Sequence, residues 1–180
     1  MKLASKRAFV ASIAALTMVL SIGGAQGATP KPTPTKNPYG ASVPVDPPRP
    51  NDVILTVTNH SKVVRFSLNS LRKLGATQIS IFEPFVKVRQ TFTVVSLAKI
   101  FKSANILSSA TVLTDALNDY IYTNTAKNFT DSQGQLAIAR FGGAIPYDQG
   151  GPIRIIFPDK STLGKNLSAW NWSLNVITVK

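Results

Sequence analysis

The chain has 180 residues, no cysteine, one histidine and a formal net charge of +12. Without cysteine there is no thiolate metal site, no thiol nucleophile and no disulfide framework, so the folded part rests on its apolar core alone. A single histidine, His60, rules out a zinc site built from Cys and His. Glu83 as the only glutamate leaves no visible pair of carboxylates for hydrolysis.

Residues Met1 to Gly27 read as a secretion signal. Lys2, Lys6 and Arg7 form a basic start, and Ala8 to Leu20 is mostly apolar. The small residues Ala25 and Gly27 fit cleavage after Gly27. The apolar run falls short of the ~20 residues a spanning helix needs and closes on Gly23-Gly24, so no transmembrane anchor is expected. The expected product is periplasmic or secreted, begins at Ala28 and carries a net charge of +9 once the three basic residues of the leader are gone. Such a surface meets anionic lipids, envelope polymers and small anions. It also simply keeps a protein soluble, and export removes nucleic acid as a partner.

Ala28 to Pro50 holds eight of the twelve prolines and cannot build a core, so it is expected to be an extended linker. Asn51 to Lys180 then gives 130 residues, enough for one domain with one core. Val53 to Thr58 alternates as a strand with Val53, Leu55 and Val57 on one face. Asn59 to Lys62 is a turn that places His60 in solvent, and Val63 to Phe66 is a hairpin partner. Ser67 caps a helix with Leu68, Leu71 and Leu74 at helical spacing, stopped by Gly75. Thr77 to Phe82 is a strand that Glu83-Pro84 interrupts, and Phe85 to Arg89 is irregular or an edge segment. Thr91 to Val95 leads into a second helix capped by Ser96, with Leu97, Ile100, Phe101 and Ala104 on one face and Asn105 ending it left-handed.

Thr111 to Thr114 and Leu117 to Thr123 are strand-like, and Lys127 to Gly134 is a polar connection. Leu136 to Arg140 precedes a Gly142-Gly143 turn, and Ile153 to Phe157 is a buried-type strand. The last strand places Trp170, Trp172, Leu174 and Val176 on one face before the apolar phase slips to Ile177 and Val179, which suggests a bulge. Strands dominate and the helices are short, so the class is α+β.

Several segments, taken in order, resemble the molybdopterin-binding domain of the sulfite oxidase family. They are Phe66-Ser67-Leu68-Asn69-Ser70-Leu71, Thr91 to Phe101, Ala116-Leu117-Asn118-Asp119-Tyr120 and Leu136 to Pro146. Gly150-Gly151-Pro152-Ile153-Arg154, running on to Phe157-Pro158, and the Trp170 to Val179 segment complete the set. The resemblance implies a sulfite-oxidase-type fold of mixed, mostly-β sheets with short helices, covering 51–180 as one domain. It also shows two departures. The family's metal-ligating cysteine follows the strand corresponding to Ile79–Phe82, and here that place reads Ile81-Phe82-Glu83-Pro84-Phe85. A histidine often precedes the family's Gly-x-Pro-x-Arg run, and here Asp148-Gln149 stands there. The family's second, immunoglobulin-like domain has no counterpart in the sequence, so a monomer is expected.

These departures lead to a cofactor-less binding module for a small anionic ligand or an envelope protein partner, with no catalytic residue and no metal ligand assigned. The alternative is an oxidoreductase whose molybdopterin holds molybdenum without a protein cysteine. On the family fold, a remnant site would join Gly150, Gly151 and Arg154 to Asn118 and Tyr120. The glycines would offer backbone donors and Arg154 a fixed positive fork. The other reading makes the Gly142-Gly143 and Gly150-Gly151 segments ordinary turns beside surface arginines, Arg140 and Arg154. Tyr120 and Tyr122 read as packed, and Asn59, Asn128, Asn166 and Asn171 begin glycosylation sequons that matter only in a glycosylating host. Processing is directly testable: secreted material should have the intact mass of a chain starting at Ala28, and a mass that includes Met1–Gly27 would refute cleavage.

Overall fold

A computed structural model describes residues 45–180. The chain divides into two units, Met1–Thr35 and Lys36–Lys180, and the described residues all belong to the second. The expected signal segment and most of the proline-rich stretch lie outside the described residues.

Among the described residues nine strands form two sheets. The first has the order β2-β1-β9-β5-β6, from Lys62–Ser67, Val53–Asn59, Leu174–Val179, Thr111–Ala116 and Ile121–Thr125. The β1–β9 pair is parallel and the other pairs are antiparallel. The second sheet is antiparallel throughout, in the order β3-β4-β7-β8, from Thr77–Glu83, Val88–Ser96, Gln135–Arg140 and Arg154–Ile156. Among the described residues three short α-helices join them: α1 (Leu68–Lys73), α2 (Leu97–Ser103) and α3 (Ala126–Asp131). The fold is α+β. One buried cluster runs through both sheets, from Leu55, Val57 and Ile177 to Phe92, Leu136 and Ile155, with Leu97, Ile100 and Phe129 from the helices. Among the described residues no helix is long and apolar enough to cross a membrane.

Local sequence explains much of this. Alternation over β1 buries Leu55 and Val57, although Val53 at its start is exposed. Ser67 accepts a hydrogen bond from the Ser70 amide, while the Ser70 hydroxyl accepts one from the Ser67 amide at 2.8 Å, a reciprocal cap that fixes the start of α1. His60 and Asn105 both adopt positive φ in their turns, and His60 is exposed. The phase slip in the last strand is a real bulge. Asp115 faces Val176 and Ala116 faces Leu174, so Asn175 is the extra residue and burial passes from Leu174 to Ile177.

Four expectations change. The segment Thr91 to Val95 lies in β4, an interior strand that buries Gln90, Phe92 and Val94 in alternation. The polar connection after Ala126 holds α3, which Thr125 caps through the Asn128 amide and Phe129 anchors in the core. Leu117 to Tyr120 is the turn before β6, with Asp119 at positive φ. Both tryptophans precede β9, because Ser173 adopts a φ of 52° and breaks the extended run.

The edge strand β3 is tied down from outside. The Phe82 amide donates to Asp159 at 2.7 Å, and Arg89 donates to the same carboxylate at 2.6 Å. These two hydrogen bonds, the backbone one first, hold Asp159 below its ordinary pKa of 3.8. A carboxylate depressed in the folded state stabilises above its unfolded pKa, and that contribution fades as pH falls through the folded value. Replacing Asp159 with Asn should therefore matter most near neutrality. In urea melts the gap in stability between wild type and variant should narrow from about pH 5 to about pH 2. A gap independent of pH would show that the carboxylate charge is not what ties the strand.

Candidate functional site

β8 is short, but its whole neighbourhood is buried, from Gly151 through Phe157. Arg154 stands in the middle of it. Its guanidinium donates to Glu83 at the end of β3 at 2.7 Å, and both side chains are completely shielded from solvent. A second donor reaches the Gln149 carbonyl at 3.3 Å. The guanidinium also lies 4.2 Å from the centroid of the Trp172 ring, a cation–π contact. Removing two ions from water costs several kcal/mol per ion, so such a pair persists only where hydrogen bonds satisfy the remaining valences. Glu83 meets that condition: its other oxygen accepts from the amides of Phe85, at 3.1 Å, and Val86, at 2.9 Å.

Those two amide bonds shape the turn after β3 and set Phe85 against the tryptophans. Its ring meets Trp172 edge-on at 4.9 Å and Trp170 at 6.2 Å between centroids. Trp170 is fixed in turn by its ring N–H, which donates to the Gly164 carbonyl at 3.2 Å, and by Phe157 at 5.9 Å. Around this group opens a cavity of about 410 Å³ lined by Phe85, Asn118, Tyr120, Leu167, Ser168, Trp170 and Trp172. That volume falls in the range of small-molecule sites, which are mostly apolar with a few polar groups. Tyr120 is held across the mouth by its hydroxyl, which donates to the Ser168 carbonyl at 2.8 Å.

The sequence-predicted residues separate into two groups. Asn118 and Tyr120 line the cavity. Arg154, Gly150 and Gly151 are buried, and Arg154 and Gly150 lie against the ring of Trp172, which lines the cavity. The Gly150 amide donates to Tyr147 and the Gly151 amide to Pro146, so neither is presented to a ligand. Their lack of a side chain has another cause. A Cβ on Gly151 would stand 1.8 Å from the Ile145 carbonyl oxygen, and one on Gly150, at a φ of +84°, would press to 2.8 Å on the Trp172 ring. Arg154 is therefore an interior residue and not a solvent-facing fork. Arg140, half-buried, donates to the Gln149 side chain. Tyr122 packs edge-on against Phe129 at 5.9 Å. Sequence reasoning missed Phe85, Leu167, Ser168 and the two tryptophans as cavity walls. The one available signal was Glu83 itself, a sole glutamate set in an otherwise apolar run.

Neither a protein-family model nor a curated protein matches the chain. Among solved structures, the chain is similar to the sulfane dehydrogenase SoxCD from Paracoccus pantotrophus, with a TM-score of 0.57 and 12% identity. The match covers 78% of this chain and 40% of that one, and at this identity it is a likeness of fold.

Replacing Arg154 with Ala leaves Glu83 buried without its counter-charge, which should cost about 3–5 kcal/mol of stability. Urea unfolding of wild type and variant measures this directly. A loss below about 1 kcal/mol, as for a surface ion pair, would mean that water reaches the guanidinium.

Proposed function

We propose that this chain is an exported ligand-binding module, built on a sulfite-oxidase-type molybdopterin-binding fold that offers molybdenum no protein ligand. The observation that carries this reading is the commitment of Glu83. Its carboxylate is the only metal-competent group in the Glu83-Pro84-Phe85 segment. It is spent on Arg154 at 2.7 Å and on two backbone amides. That oxygen is also the wrong donor chemistry for a site that uses a soft thiolate, and the chain has no cysteine to supply one. The residues present therefore do not fit a molybdenum centre of that kind. The fold likeness to sulfane dehydrogenase SoxCD supports the architecture, and the aromatic cavity supports binding as the activity.

Protein purified from its native host should carry far less than one molybdenum per chain and release no fluorescent pterin on denaturation. Metal analysis by mass spectrometry checks the first and emission spectra the second. Near-stoichiometric molybdenum would instead establish an oxidoreductase that holds the metal through its cofactor.

A further inference from the structure

A second cavity, of about 260 Å³, shares Trp170 with the first. The turn after β3 contributes to both, through Pro84 on one and Phe85 on the other. The two differ in charge. Among the described residues the aromatic cavity has no charged side chain in its lining, whereas the second has Lys160, Lys165 and Asp159. Asp159 is already held by Arg89 and the Phe82 amide. Neither lysine takes part in an ion pair among the described residues. The second cavity thus carries a surplus of positive charge beside an uncharged aromatic one.

We propose that the two cavities form one bipartite site for an aromatic anion. A flat ring lies against Phe85, Tyr120 and the indoles, and a phosphate, sulfonate or carboxylate on that ring reaches Lys160 and Lys165. This rests on the ligand-binding reading above and names its ligand class. The physical reasoning is a division of labour. Rigid aromatic walls bury a ring at little cost in side-chain entropy. Exposed lysines alone hold an anion weakly in salt, yet they discriminate strongly once a ring has brought the anion to them. The ring supplies the affinity and the lysines the selection.

Both tryptophans of the chain line this site, so their ring N–H signals in nuclear magnetic resonance spectra of isotope-labelled protein report on it directly. The probes are naphthyl phosphate, naphthol and inorganic phosphate. Naphthyl phosphate should move both signals and bind about tenfold more tightly than naphthol, and inorganic phosphate should leave both in place. Phe85→Ala should weaken both aromatic probes about tenfold. Phe85 is 42% exposed, so its removal spares the core. The double variant Lys160→Gln/Lys165→Gln should bind the two aromatic probes equally. Equal binding of both by the wild type would remove the lysines from the site, and shifts with inorganic phosphate alone would remove the ring. Signals unmoved by every probe would overturn the bipartite site outright. The binding-module reading is decided separately, by molybdenum content.

Discussion

The contact between Glu83 and Arg154 organises everything around the cavity. At 2.7 Å, with no solvent on either partner, it is an interaction that stabilises only while both ends are present. It joins the end of β3 to β8, two strands that do not pair in the sheet. One carboxylate oxygen holds the guanidinium and the other holds two amides of the following turn. The position of Phe85 follows from that turn, and the seat of Trp172 follows from the cation beneath it. A side chain at Gly150 would press on the Trp172 ring and one at Gly151 on the Ile145 and Pro146 backbone, which ties the glycine pair to packing instead of recognition.

The parts of the fold legible in sequence are those set by local physics. The alternation of Leu55 and Val57, the Ser67 cap and the slip from Leu174 to Ile177 each reflect a rule that operates within a few residues. Helix α3 has the same local signs as α1, the Thr125 cap and Ala126 and Phe129 three residues apart, but its other four residues are polar and the segment reads as a polar connection. β8 hid its meaning for a different reason. An arginine between isoleucines suggests a side chain facing outward, but this strand is buried on both faces. The partner that makes that possible lies 71 residues away. Asn118 and Tyr120 were assigned to the cleft through resemblance and do line the cavity. Arg154 was assigned on the same grounds and supports the floor.

The other cavity walls escaped notice because they come from three further stretches: the turn after β3, the 3-10 turn at Leu167–Ala169 and the run into β9. Their convergence depends on backbone bonds that no periodicity encodes. Ile155 donates to Asn171, Ser173 to Gly150, and Leu117 to Ser173. Asn171, fully buried, adds a side-chain link by donating to the Thr114 carbonyl at 3.0 Å. Aromatic residues that read as core in sequence thus become the lining of an opening.

The strand order of the first sheet has a kinetic meaning. β9 sits between β1 and β5, and its parallel partner β1 pairs Thr56 with Val176, nearly the full length of the domain apart. Without β9 the β2-β1 and β5-β6 pairs have no strand to join them. Closing so long a loop before any reward slows folding. The strand order that buries Ile177 in the interior of the sheet therefore makes the pairing of β9 the long-range step on which the first sheet depends.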